Sequence, residues 1–169
     1  IIFFSDRIEK FIPPKKGKSH ILRIIRELID FTPDGKGTNI AEALRYLTNV
    51  VKKRSIAFLL SDFMDKGYSD ALKLANRKHD MVAIRVFDQL EQDMPKVGLL
   101  PMTDAETGNI IWVNTTDKET QIKLKAASLK FEAELKETLV RAGVDVAEVR
   151  TDLSYIKPLL NLFKRRESR

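Results

Sequence analysis

Two short segments of the chain place oxygen ligands where a cation could bind. Thr38 stands at the start of a predicted helix, and Ser61 and Asp62 follow directly after a short apolar run. Hydroxyl and carboxylate oxygens suit Mg²⁺ and Mn²⁺, and Mg²⁺ is commonly held by one or two carboxylates and several waters. The pattern predicts a divalent-cation site at Thr38 and Asp62, with Ser61 beside it as a partner contact. Two ligands do not complete such a site, so we expect this chain by itself to hold no ion.

The same residues also have an ordinary structural interpretation. Thr38 is a suitable N-cap for the helix that follows it, and Asp62 can cap the turn after the apolar run. The spacing alone leaves both interpretations open.

A second acidic segment follows another apolar run. Asp88 and Glu91 come directly after residues 81–87, and we interpret them as contacts for a protein partner. Together with Asp62 they could instead surround a cation, so a metal-assisted hydrolase is the alternative hypothesis. A solvated turn would show the same composition.

The elements that must position these residues alternate between strands and helices, which is typical of parallel βαβ units. Ligands of such sheets bind beyond the carboxyl ends of the strands, where Asp62 and Asp88 are expected. The fold class is therefore α/β, with a three-layer, Rossmann-like, mostly parallel sheet. The continuous apolar run 55–61 predicts a strand covered on both faces. The predicted strands are 1–5, 55–61, 81–87 and 144–149, the predicted helices 19–31, 37–53, 69–79, 117–141 and 152–163, and an added hairpin pairs 97–104 with 109–114.

Composition narrows the classes of function. The 169 residues predict a single domain over 1–169, and their net charge is +6. Residues 1–60 contain 12 Lys and Arg against 6 Asp and Glu, which leaves the whole excess there. Few aromatic residues accompany these charges, so we expect an ordinary solvated or partner-facing surface rather than a nucleic-acid interface.

The sequence indicates neither an enzyme nor a membrane-spanning protein. The chain has no cysteine and two histidines, His20 and His79, neither at the spacing of a catalytic triad or a zinc site. We therefore expect no enzyme, and we expect both histidines at the surface or at helix ends. No apolar run approaches the roughly 20 residues that span a bilayer. We expect a cytoplasmic protein, and the sequence leaves open a membrane anchor in a segment upstream of Ile1.

An ordered set of short motifs resembles one bacterial family, the domain of unknown function 58, whose members contain a von Willebrand factor A-like domain. The resemblance extends over nearly the whole chain. The motifs that carry it are IFFSDRIE at 2–9, IPPKKG at 12–17, GTNI at 37–40, LLSDF at 59–63, HD at 79–80, FDQLE at 87–91 and DAETG at 104–108.

The resemblance implies a three-layer α/β fold that often carries a metal-ion-dependent adhesion site. Thr38 matches the threonine of the second loop of such a site, and Asp62 matches the aspartate of the third. The first loop, Asp-x-Ser-x-Ser, does not occur in this chain and in the family lies upstream of Ile1, so we expect the first strand to be missing. Members are often encoded beside MoxR-type AAA+ ATPases and are thought to act with them as adaptors. The resemblance therefore implies a protein-interaction domain with a protein partner.

Overall fold

The computed structural model describes residues 1–103 and 109–168, without the side chains of residues 91 and 92. The tip of the predicted hairpin, with Asp104 and Glu106, lies outside the described residues. The strands are β1 (Ile2–Phe4), β2 (Ile8–Phe11), β3 (Ile56–Ser61), β4 (Asp80–Phe87), β5 (Leu99–Thr103), β6 (Ile110–Asn114) and β7 (Asp145–Arg150). The helices are α1 (Lys18–Asp30), α2 (Ile40–Val50), α3 (Ser69–Lys78), α4 (Gln89–Gln92), α5 (Lys118–Ala142) and α6 (Ile156–Glu167).

A parallel sheet of three strands forms the centre of the molecule. Its order is β3-β4-β7, with Ile56 opposite Asp80 and Val82 opposite Asp145. β1 and β2 form one antiparallel hairpin, and β5 and β6 form another. The predicted α/β class, with a parallel sheet and an added hairpin, is confirmed. The acidic segment after β4, predicted as a loop, contains the short helix α4.

The central strand β4 is packed on both faces, and only Val86 near its carboxyl end is exposed. Met81 and Ala83 point into the larger core, which is built with the helices α2, α3 and α5. Val82 points to the opposite face, where it packs with Ala147 and Leu162 under α6. Because side chains alternate along a strand, helices on both sides are required to cover this one sequence. The result is a helix, sheet and helix arrangement in three layers.

The prediction that the strand at 55–61 is covered on both faces is wrong. Leu59 is buried in the larger core, but Ile56, Phe58 and Leu60 are 63%, 45% and 58% exposed. In the described part of the chain β3 pairs only with β4, and α6 reaches it through the ring of Phe163, whose centroid is 6.3 Å from that of Phe58. An apolar run therefore indicated a strand correctly without indicating how much of it is covered.

Helix ends follow from local capping. Asp117 accepts a hydrogen bond from the backbone N–H of Thr120 at 2.8 Å and begins α5. Gly143 ends it in the left-handed conformation with φ of 66°, as the sequence predicts, since glycine carries no Cβ penalty there. α6 is fixed at its far end by Arg166, which bonds Asp80 at the start of β4 and Asp145 at the start of β7.

None of the helices in the described ranges is both long and apolar enough to cross a membrane. α1 has no buried residue. Its aliphatic side chains are therefore largely accessible in this structure.

His79 lies at the end of α3, one of the two positions expected for it, and it is fully buried there. Neither of its ring nitrogens has a hydrogen-bond partner among the described residues. Burial lowers the pKa of His79 below its usual 6.5, and the neighbouring Lys78 ammonium lowers it further. The folded state therefore holds this imidazole neutral, because charging it without a partner is costly.

Protonation of His79 should make folding stability depend on pH. Below an unfolded-state pKa of 6.5 the unfolded chain binds a proton that the folded chain excludes, so the free energy of unfolding decreases as the pH falls through this range. We expect His79→Leu to lose less stability than the wild type between about pH 7.5 and about pH 5.5, by on the order of 1 kcal/mol. Urea unfolding at each pH measures it, with His20→Leu as the control. Parallel pH profiles for the wild type and His79→Leu would contradict the assignment.

Candidate functional site

The loop that carries Thr38 is held against the β1–β2 hairpin by a buried serine and a glutamate. The Ser5 hydroxyl donates to Glu9 Oε1 at 2.6 Å, and the backbone N–H of Gly35 donates to the same oxygen at 2.8 Å. The backbone N–H of Asn39 donates to the carbonyl of Ser5 at 2.7 Å. The Ser5 hydroxyl and the Gly35 N–H are also the main reasons that the pKa of Glu9 lies below its usual value. This ionised carboxylate therefore sets where the loop 35–39 begins.

Gly35 approaches the hairpin more closely than any side chain would allow. A Cβ atom there would lie 2.2 Å from both Ser5 Oγ and Asp6 Oδ1, and 2.9 Å from Ser5 Cβ. At Gly37 the nearest atom would be Asp6 Cβ at 3.4 Å, an ordinary contact. The first glycine of the loop is needed for packing, and the second is not.

Thr38 does not cap the helix that follows it. Asn39 occupies the N-cap, and its Oδ1 accepts from the backbone N–H of Glu42 at 2.9 Å. The Thr38 side chain is exposed, and its hydroxyl has no hydrogen-bond partner among the described residues. The capping interpretation of Thr38 is therefore wrong, and its hydroxyl is available to a ligand.

Ser61 and Asp62 form a tight turn at the carboxyl end of β3. The backbone N–H of Phe63 donates to Ser61 Oγ at 3.0 Å, and that of Met64 donates to Asp62 Oδ1 at 3.0 Å. Phe63 has a φ of 64°, unusual for a residue other than glycine, and its side chain is completely buried. The buried ring anchors the turn, so that Asp62 remains exposed at the edge.

Asp65 joins the two loops, and sequence analysis did not identify it. Its Oδ2 accepts from the backbone N–H of Ile40, the first residue of α2, at 2.8 Å. The segment after β3 therefore caps the helix that begins beside Thr38. The only available sequence signal was an acidic residue three positions after Asp62, which alone does not point to a helix start 25 residues earlier.

The predicted acidic contacts after β4 have a different environment. Asp88 Oδ1 accepts from the backbone N–H of Leu90 at 2.8 Å, and its Oδ2 accepts from the Thr151 hydroxyl at 2.9 Å. Asp88 therefore joins the ends of β4 and β7. The Glu91 side chain lies outside the described residues.

Within the described ranges, no three His, Cys, Asp or Glu side chains are close enough to hold a metal ion together. Thr38 and Asp62 offer suitable oxygen atoms, but these side chains do not form a complete cation site. What the edge does present is an accessible hydroxyl and an accessible carboxylate on two loops that are joined by the Asp65 bond.

The close approach at Gly35 should make it much less replaceable than Gly37. We expect Gly35→Ala to lower the free energy of unfolding by about 1–3 kcal/mol, because the methyl group forces Ser5 away from Glu9. Gly37→Ala, two residues along the same loop, is the matched control, and its change should be small. Urea unfolding curves measure both. Equal midpoints for the two variants would show that the loop does not depend on this contact.

Comparison with known proteins gives a family and few functional details. The family model described as protein of unknown function DUF58 matches residues 1–134. The uncharacterized protein MAV169 of Mycobacterium avium is 24% identical over 158 residues, which cover 92% of this chain and 93% of that protein. The uncharacterized protein Rv1480 of Mycobacterium tuberculosis is 23% identical over 152 residues, and these cover 88% of this chain. The chain spans about half of that relative, 48% of its length.

A solved structure supports the fold. The crystal structure of the conserved hypothetical protein BatB from Bacteroides thetaiotaomicron aligns with a TM-score of 0.54 at 18% identity, over 98% of this chain and 76% of that one. The match to the family model covers most of the chain, and the motifs that suggested the resemblance are distributed through it. This chain is a member of the DUF58 family of proteins of unknown function.

Proposed function

We propose that this chain is a non-catalytic protein-interaction domain of the von Willebrand factor A-like type that binds its partner at the carboxyl edge of the sheet. The observation that carries the proposal is the pair of joined loops. Asp65 holds the turn after β3 against the start of α2, so Thr38 and Asp62 are presented on a common support. Polar side chains on loops that a rigid scaffold positions are a common arrangement for recognition.

The partner that the family resemblance suggests is a MoxR-type AAA+ ATPase, for which this domain would act as an adaptor. An exposed carboxylate can contact such a partner directly, through a basic side chain. It can also do so through a shared Mg²⁺ ion to which the partner contributes ligands. Since the described side chains do not form a complete cation site, we derive no step through the ion and treat its requirement as an experimental question.

Substitutions at the edge should weaken binding without unfolding the domain. Asp62→Asn retains an oxygen that can accept from the Met64 N–H but loses the charge, and Thr38→Val retains the shape of the side chain but loses the hydroxyl. We expect each to lower affinity for a purified MoxR-type ATPase encoded beside a family member by about tenfold. Biolayer interferometry in Mg²⁺ and in EDTA measures it.

Glu167→Gln is the matched control. It removes one exposed carboxylate at the end of α6, next to Arg166, which bonds the amino ends of β4 and β7. Its affinity should equal that of the wild type. If Asp62→Asn and Thr38→Val also bind with unchanged affinity, the edge is not the contact. If EDTA reproduces the effect of Asp62→Asn, the contact requires the ion; if only the substitutions act, it is metal-free.

A further inference from the structure

A groove runs along α5 on the helix-rich side of the sheet. Its larger part is a cavity of about 600 Å³ between α5, the segment after β4 and strand β5. A smaller cavity of about 410 Å³, next to the turn after β3, adjoins it through Met64 and Phe131. We call the two together the α5 groove. The larger apolar side chains that line this part are Met64, Leu90, Met94, Met102, Leu124 and Phe131.

The floor of the larger part contains a buried cation. Arg85, in the middle of β4, is 2% exposed, and its guanidinium carbon lies 4.4 Å from the ring centroid of Phe87 and 5.3 Å from that of Phe131. Its Nη1 lies 3.8 Å from a Glu132 oxygen and 3.6 Å from a Glu148 oxygen. The positive charge is therefore compensated by two carboxylates and two aromatic faces.

The Nε–H group of this arginine is the second feature of the groove floor. The buried Nε of Arg85 has no hydrogen-bond partner among the described residues. Buried N–H groups are nearly always paired, because an unpaired one has lost its water without replacement. An arginine whose Nε is unpaired, on the floor of an apolar groove, indicates that an acceptor oxygen arrives with a ligand.

The charged side chains around Arg85 indicate which kind of oxygen could accept from its Nε–H group. Arg85 already faces Glu132 and Glu148. The other charged side chains of the lining, Asp93 and Lys125, form an ion pair at 3.2 Å. A further carboxylate would therefore add a third negative charge around one guanidinium. A neutral carbonyl oxygen satisfies the Nε–H without this repulsion. A peptide offers such an oxygen beside each side chain, and the three methionines of the groove are flexible enough to pack around different apolar groups.

We propose that the α5 groove binds a short apolar peptide segment of a protein partner, with a bulky side chain among the methionines and a backbone carbonyl on Arg85 Nε. The inference deepens the proposed function and rests on it for the nature of the partner. It concerns a different surface, however, since the groove is lined by neither Thr38 nor Asp62.

The four methionines of the chain make the test direct. Met64, Met94 and Met102 line the groove, whereas Met81 is buried in the core and serves as an internal reference. The chain is labelled with ¹³C at the methionine methyl groups and titrated with N-acetyl-phenylalanyl-leucinamide into the millimolar range. We expect the signals of the three groove methionines to shift with a common saturation curve and that of Met81 to remain in place.

Two variants and one matched probe decide the outcome. Arg85→Met removes the donor, and Leu124→Gln alters the apolar wall and leaves Arg85 in place; each should weaken binding about tenfold. An unchanged Met81 signal shows that the variant is folded. The free acid N-acetyl-phenylalanyl-leucine should bind more weakly than the amide. Absence of shifts, shifts that include Met81, or wild-type affinity in either variant would overturn the proposal. Equal or tighter binding of the acid would overturn the neutral acceptor.

The two proposals can fail separately. Asp62→Asn should leave binding of the dipeptide unchanged, because Asp62 does not line the groove. If the chain binds the ATPase through Asp62 but does not bind the dipeptide, the proposed function is supported and the groove proposal is wrong. If the chain binds the dipeptide but no partner in an Asp62-dependent way, the groove proposal is supported and the proposed contact at the edge is wrong.

Discussion

The burial of β4 on both faces is the constraint on which the rest of the structure depends. Its neighbours β3 and β7 pair with it in parallel, which places their carboxyl ends at the same edge. Parallel pairing requires a crossover between strands, and the crossover helices α3 and α5 cover one face. Val82 on the other face requires a second cover, which α6 supplies. The three layers and the common edge therefore follow from one strand that has no polar face.

Hydrogen bonds from residues outside the central sheet hold the loop 35–39 in place at its carboxyl edge. Glu9 of the β1–β2 hairpin accepts from Gly35, and Asp65 after β3 accepts from Ile40. Both acceptors are carboxylates and both donors are backbone N–H groups, so each bond combines charge with fixed geometry. Because the loop between them is held at each end, Thr38 can be exposed without the loop being free.

The sequence predicted the elements better than their surroundings. Alternating strands and helices, together with the rule for carboxyl ends, correctly placed Asp62 at the end of β3, and Gly143 correctly marked the end of α5. Capping was less predictable, because moving a helix start by one residue transfers the cap from Thr38 to Asn39. The exposed face of β3 was missed because an apolar run does not reveal whether a layer covers it. The role of Asp65 was missed because its partner, Ile40, is 25 residues away in the chain.

The buried side chains of His79 and Arg85 avoid an uncompensated charge in different ways. His79 directly precedes β4, whereas Arg85 lies within this strand. Both are at most 2% exposed. His79 has no hydrogen-bond partner in the described part of the chain, and it remains neutral, which an imidazole can do near neutral pH. A guanidinium cannot lose its proton in this way, so Arg85 must be compensated, and the contacts come from α5, β7 and the aromatic rings. Glu132 and Phe131 belong to the helix that also forms the wall of the groove. The residues that compensate the charge of Arg85 thus also shape the space in front of it. For this reason we connect its unpaired Nε with ligand binding and the unpaired nitrogens of His79 with stability alone.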